Sequence, residues 1–314
     1  MLSLPVAMRG AGLAPYVVGI TLAGVLNAYT FFLLGWCCEA LGGLCRFPFQ
    51  GFAKSKCAPF DVTGASSFGE LWAKCFGQQN AWIADITVLA NNSMACLAYC
   101  VLIGDFFSKA LTGLLPDYPL LHGRGADLVL VGFCLLVPLS LMKDLAPLRY
   151  ASMAGLVATA YVFLMLLKDA VGSARWGAEG PLASNISPFR LDFFQALALF
   201  GSAFMAHYNA PKFYAQLQDR SVPKFAVLVC AAFGLALVVF VVFGMCGFAL
   251  FGYEAEGNIL KNYGFGPEVM LAWLSMGFSV AFTYPLVFSG FRDSFASLRR
   301  AQFFFCWERQ PDQH

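Results

Sequence analysis

Phe193-Phe194-Gln195-Ala196-Leu197-Ala198-Leu199-Phe200-Gly201-Ser202-Ala203-Phe204-Met205-Ala206 is an uncharged run of fourteen residues, and it meets His207, Tyr208, Asn209 and Pro211 in quick succession. The run is too short to span a bilayer alone, since a spanning helix takes about twenty apolar residues. An apolar half-helix that ends in a polar, proline-bearing break is tolerated at membrane depth only where the freed N–H and C=O groups border a cavity or site. In secondary transporters such breaks carry substrate and coupling ion. Whether this applies depends on the chain around the run being a membrane protein.

Composition says that it is. Of the 314 residues, 59% are hydrophobic and 12% charged, and the mean hydropathy is +0.68. Soluble domains carry about a quarter charged residues, so this chain is built for lipid. A net charge of +2 with no basic run excludes nucleic acid as a partner. The eleven cysteines do not form a metal framework. Cys37, Cys38, Cys96, Cys100, Cys134, Cys230 and Cys246 lie in apolar segments, where a thiol is a small hydrophobe. Cys45, Cys57 and Cys75 share a loop without the paired short spacing of a zinc site and read as free thiols. Met1 opens into Leu2-Ser3-Leu4-Pro5 without the basic leader of a signal peptide.

Uncharged stretches mark the spans. Ala14–Cys38, Ile86–Gly104, Tyr150–Leu167, Phe225–Gly252 and Val269–Phe291 are long enough. Leu128–Met142 is shorter but closed by Asp127 and Lys143, and the broken Phe193–Tyr214 makes a seventh. Met1–Met8 reads as the second half of an eighth. With the loop from Glu39 to Ala81 placed inside, only Arg9, Lys109, Arg124, Lys168, Arg175, Arg190 and Lys261 of the twenty Lys and Arg residues fall outside. This bias sets the orientation. It also puts Asn185-Ile186-Ser187 outside as a glycosylation acceptor, although Pro188 follows directly. Asn91-Asn92-Ser93 fits the same pattern but lies within a span.

Four segments, in order, resemble the amino acid/auxin permease family, which includes sodium-coupled neutral and vacuolar amino acid transporters. Leu2-Ser3-Leu4-Pro5-Val6-Ala7 with Gly10-Ala11-Gly12 is similar to the second half of the family's first helix. Leu139-Ser140-Leu141-Met142-Lys143-Asp144-Leu145, with Leu148 and Ser152, resembles its helix 4 to 5 turn. Phe204-Met205-Ala206-His207, running on to Asp219-Arg220-Ser221, resembles its sixth helix and the following loop. Phe251-Gly252, Asn258-Ile259-Leu260 and Asn262-Tyr263 resemble the loop after its seventh. The resemblance implies an all-α polytopic membrane protein with a leucine-transporter-like inverted-repeat fold, in which the broken helices 1 and 6 face each other near mid-membrane. It implies no cofactor, a coupling ion that is Na⁺ or H⁺, and a substrate carboxylate held by half-helix N-termini. The family's Gly-x-Gly break would precede Met1 and its helices 9 to 11 would follow Phe291. The expectation is therefore a truncated copy with about eight of eleven helices: a transporter domain over residues 1–291 and a cytoplasmic tail over 292–314.

The functional expectation is secondary active transport of neutral amino acids by alternating access across a plasma, vacuolar or lysosomal membrane. The alternative is a non-transporting amino acid sensor or degenerate copy on the same scaffold. Leu2, Ser3, Gly201, Ser202, Phe204, Met205 and His207 are the expected substrate residues, with Gly201 permitting close approach or unwinding. His207 is the histidine placed inside the membrane, where an ionisable group is either functional or held neutral by a bond across helices. Ser279 and Thr283 lie one turn apart, just before Pro285, which frees a carbonyl one turn back. Those oxygens suit a hard cation such as Na⁺ at Thr283, and small hydroxyls equally suit close helix packing. Asp85 reads as a solvated helix-start aspartate, and at least one of Asn91 and Asn92 should face the bundle. There is no Ser–His–Asp ordering, metal-ligand helix or phosphate loop, so the chain is not read as an enzyme.

Overall fold

The computed structural model describes residues 1–44, 68–114, 136–141, 148–173, 180–184 and 192–307, all of them helix or the turns between helices. A short helix α1 (Leu4–Ala11) opens the chain, with Pro5 in its first turn, where the missing N–H costs nothing. Gly12, at φ +87°, turns the chain into α2 (Leu13–Leu44). Next come α3 (Phe68–Phe76), α4 (Ala81–Leu114), the short α5 (Val137–Leu141), α6 (Leu148–Gly172) and the single turn α7 (Pro181–Ser184). The two short helices α8 (Phe193–Ala203) and α9 (Ala210–Gln216) precede α10 (Val222–Phe251) and α11 (Pro267–Trp307).

Five helices are long and apolar enough to cross a membrane, within Leu13–Ala40, Ala81–Leu114, Met153–Gly172, Val222–Glu254 and Pro267–Arg299. They match the five long uncharged stretches of the sequence. Most of the expected Leu128–Met142 span falls outside the described residues, as do the Asn185 sequon, Lys143-Asp144, Cys45 and Cys57. Cys75 is an exposed free thiol on α3.

At its far end α11 extends into the residues read as the cytoplasmic tail. The helix does not stop near Phe291 but runs on to Trp307. No proline follows Pro285 in this helix, and Ser294 is buried while Ser297 is bonded to α4, so packing carries the helix past the apolar stretch.

Two apolar clusters organise the bundle. One gathers Tyr16 and Ile20 of α2, Leu4, Ala7 and Met8 of α1, Ala196 and Phe200 of α8, and Phe248 of α10. The other joins Phe106 of α4, Val162 and Leu166 of α6, Phe243 of α10 and Trp273 of α11. Met1 packs against both, so the start of α1 lies between them. Without a hydrophobic driving force between helices in lipid, close backbone approach and hydrogen bonds hold such a bundle. Gly247 of α10 lets Pro5 lie directly on its backbone, where an added Cβ would overlap the proline ring. Tyr16 donates its hydroxyl to the Phe240 carbonyl at 2.8 Å.

At one end of the bundle, loop and helix ends are tied by polar contacts. Arg9 donates to the Tyr253 and Ala255 carbonyls at 3.2 and 3.0 Å. Lys168 meets Glu268 at 2.8 Å, and Lys261 meets Asp105 at 3.2 Å. Burial, then Asp169 beside it, pushes the Tyr263 hydroxyl above its ordinary range. This is the end that the lysine and arginine bias assigns to the outside.

Candidate functional site

The apolar half-helix ends three residues earlier than its composition implies. Helix α8 closes at Ala203, and Phe204, Met205 and Ala206 form the break. A 3-10 turn over His207–Asn209 then leads into α9. Pro211 is not the breaker: it sits in the first turn of α9, where its fixed φ favours a helix start. The carbonyls of the last turn of α8 lose their i+4 donors at the break. The Leu199 carbonyl is answered by Ser202 Oγ at 2.9 Å, and that of Ser202 by the Met205 N–H at 3.4 Å.

Helix α1 runs antiparallel to α8, with Gly10 set against Asp192, so the start of α1 points toward the end of α8 that breaks. Ser3 stands at the α1 N-cap without a side-chain capping bond. The Leu2 carbonyl accepts from the Ile259 N–H at 3.2 Å, which ties the start of α1 to the loop after α10.

The expected substrate residues point in several directions. Met205, 52% exposed, and Ser202 stand clear of the packed core. Phe204 is only 4% exposed and stacks between Phe233 and Phe240 of α10, with ring centroids 6.1 and 5.2 Å away. It packs the break onto α10 and does not line a cavity, because an aromatic at the helix end finds its best contacts in the neighbouring Phe-rich helix. Gly201 is still helical, and an added Cβ there would meet nothing within 4 Å, so neither close approach nor unwinding explains it.

His207 turns toward α2. Its Nε2 lies 2.7 Å from Thr30 Oγ1, and its ring stands edge-on to Phe31 at 5.9 Å. Thr30 directs its own hydroxyl hydrogen to the carbonyls of Leu26 and Asn27 at 2.9 and 3.2 Å. Nε2 is thus assigned the ring proton and donates to Thr30. The histidine fastens the break to α2.

The break also carries half-buried Tyr208, which the sequence alone did not mark. Tyr208 lies within electrostatic range of Tyr99 and Cys96 of α4, and Tyr284 of α11 lies close to Cys96 and Cys100. Three tyrosines and two thiols, all part-buried, therefore converge from the break, α4 and α11. Cys96 and Cys100 are i and i+4 on one helix, a spacing that placed them on one face from the start. The partner helix was not legible without the fold.

Ser279 and Thr283 lie on the side of α11 that meets α6. Thr283 Oγ1 donates to the Ser279 carbonyl at 2.8 Å, and Ser279 Oγ donates to the Gly155 carbonyl at 3.4 Å. Both hydroxyls keep lone pairs for a cation, and buried Pro285 leaves the Ala281 carbonyl without its i+4 donor. This oxygen chemistry fits Na⁺, although the full shell that a hard cation takes is not assembled by these groups alone. An open groove of about 430 Å³, lined by Thr112, Gly113, Phe265, Pro267 and Met270, lies at the far end of α4, away from the break.

Asp85 is not the solvated helix-start residue its position implied. It is 8% exposed, accepts from Ser297 Oγ at 2.7 Å and sits against Gly69 at the start of α3. Asn92 is the asparagine that faces the bundle, with no exposed surface.

Comparison with known proteins agrees with this architecture. The family described as "Transmembrane amino acid transporter protein" matches residues 1–311. The chain is 22% identical to sodium-coupled neutral amino acid transporter 7 of Xenopus laevis, over 82% of this chain and 56% of that protein. It is 24% identical to solute carrier family 38 member 8 of Mus musculus, over 91% and 62% respectively. It is 25% identical to vacuolar amino acid transporter 7 of Saccharomyces cerevisiae, over 67% and 42%. The chain therefore spans roughly half the length of the curated relatives it matches. Nearly end to end it carries one family's pattern on helices long enough to span a bilayer: this chain is a multi-pass integral membrane protein, not an enzyme, and belongs to the transmembrane amino acid transporter family.

Proposed function

We propose that the protein moves amino acids, neutral ones first among them, across a membrane by alternating access coupled to Na⁺ or H⁺. The observation that carries this reading is the helix broken at Phe204–Asn209, between α8 and α9, with half-buried Tyr208 in the break and Tyr99 and Cys96 of α4 nearby. A break of this kind gives a zwitterionic substrate unpaired backbone groups without any charged side chain. The starts of α1 and α9 would set the positive ends of their helix dipoles toward a carboxylate, and the tyrosine hydroxyls would supply hydrogen bonds and a rim for an apolar side chain. Thr283, Ser279 and the Ala281 carbonyl would hold Na⁺ if sodium is the coupling ion. Names of relatives that specify sodium coupling and neutral amino acids support the same assignment.

The test is uptake of radiolabelled glutamine, alanine and leucine into proteoliposomes, with and without an inward Na⁺ or proton gradient. Saturable uptake driven by one gradient is the expected result. Binding without flux would instead identify an amino acid sensor on a transporter scaffold.

A further inference from the structure

The loop after α10 does not stay at the outer end of the bundle. Its Tyr253 and Ala255 carbonyls accept from Arg9 in the last turn of α1, and farther on the Ile259 N–H donates to the Leu2 carbonyl, just before α1 begins. Arg9 and Leu2 are seven residues apart, so the loop descends about 10 Å along α1 between these contacts. Backbone at such depth is tolerated only where it is buried in protein or lines a cavity, and Ala255, Ile259 and Leu260 have no exposed surface. With Gly10 set against Asp192, Leu2 lies about 12 Å along the α1–α8 pair, level with the last turn of α8. The loop therefore reaches the level of the helix break.

Asn258, one residue before the Leu2 contact, is 7% exposed. Its Oδ1 accepts from the Leu260 N–H at 3.2 Å and opens the 3-10 turn over Ile259–Asn262. That bond assigns the amide, since Oδ1 is the end in use and Nδ2 is the other. Nδ2 is buried with no partner. Capping the turn does not need it, because aspartate or serine supplies the same acceptor. Buried N–H donors left idle carry their full desolvation penalty, so the fold gains nothing from an amide here. What the start of α1 lacks is donors. The Leu4 N–H is taken by the Met1 carbonyl at 3.0 Å, and Pro5 has no N–H to give. The positive end of the helix dipole attracts an anion, yet two of its first N–H groups are out of use.

We propose that Asn258 is a specificity-determining residue that touches the substrate: its Nδ2 donates to the α-carboxylate of the amino acid held at the start of α1. This rests on the transport reading above. The carboxylate supplies the acceptor that Nδ2 lacks, and Nδ2 supplies the donor that the helix start lacks. A selection rule follows, because a hydrogen bond to a charged carboxylate is roughly twice as strong as one to a neutral ester. The amide thus favours free amino acids over their esters.

The test is equilibrium binding to the purified full chain in detergent. Radiolabelled glutamine, alanine and leucine are each displaced by the same unlabelled amino acid or by its methyl ester. Asn258→Asp keeps the acceptor for the Leu260 N–H and removes the donor, and Asn258→Ser keeps a turn acceptor on a shorter side chain. Both variants should melt near the wild type. Each should weaken binding of the free amino acid about tenfold or more, while displacement by the ester changes by less than about threefold. Equal weakening of acid and ester, which a merely structural role gives, overturns the proposal. So does binding of the free amino acid within about twofold of wild type by either variant. Loss of the folded protein in both variants, despite the retained cap, also overturns it, because the amide would then serve the fold. Wild-type protein that binds none of the three amino acids overturns the transport reading as well, which tells the two failures apart.

Discussion

Replacing Asn92 by leucine should make the protein more stable. The side chain is fully buried between α4 and α11, with both amide heteroatoms unpartnered. Protein mutational data place the penalty for such a group at about 1–3 kcal/mol. Leucine has nearly the same branching and size, so the Gly290 backbone that accommodates the amide also accommodates the isobutyl group, with a small repacking cost of under about 1.5 kcal/mol. The net expectation for Asn92→Leu is a gain of about 1–2 kcal/mol, and for a chain of this size each kcal/mol moves the midpoint by roughly 2–4 °C. The assay is thermal unfolding in one detergent, followed by tryptophan fluorescence at a fixed scan rate because such melts are scan-rate-dependent. Asn92→Ala, which removes the amide but leaves a void, should melt below the leucine variant. A fall of more than about 2 °C for Asn92→Leu would refute the reasoning, since it would mean that the amide is satisfied by a bound water or partner.

Further outcomes follow from the same contacts. Gly247→Val drives a branched side chain into Pro5 and should destabilise by at least about 1–3 kcal/mol, read as loss of a monodisperse peak or a lower melting midpoint. Tyr284→Phe removes the hydroxyl that lies close to Cys96 and Cys100 and should raise the substrate KM severalfold with little change in melting, checked by uptake kinetics beside a thermal scan. Thr283→Ala should weaken Na⁺ activation of uptake while leaving the KM at saturating Na⁺ nearly unchanged; full activity at low Na⁺ would remove Thr283 from the cation site. His207→Ala breaks the link from the break to Thr30 and should lower maximal uptake more than affinity, whereas His207→Gln, which can still donate to Thr30, should recover much of it.

The spans were legible in the sequence because the bilayer imposes one simple requirement, a long uncharged run, and the helices at Leu13, Ala81, Leu148, Val222 and Pro267 meet it. The break after α8 was legible for a related reason: a short apolar run followed by polar residues has few other solutions in lipid. Its exact place was not. Proline drew the eye to Pro211, yet the chain bends at Phe204, where the side chain prefers the aromatic surface of α10 to continuing the helix. Direction was lost for the same reason elsewhere. A sequence shows that Asp85, Asn92, Cys96 and Tyr99 share a face of α4, but only the fold supplies Ser297, Gly290, Tyr284 and Tyr208 opposite them. Composition likewise marked residues after Phe291 as a charged tail but could not show that α11 continues into them to Trp307, with Ser297 bonded to Asp85 of α4.

Gradient-driven uptake tests most directly whether the broken helix forms a substrate site. Proteoliposomes holding the wild-type protein should accumulate a radiolabelled neutral amino acid under a Na⁺ or proton gradient, and Tyr208→Ala at the break should abolish accumulation without loss of folded protein. Uptake that persists unchanged in Tyr208→Ala, or wild-type protein that neither binds nor accumulates any amino acid, would contradict it.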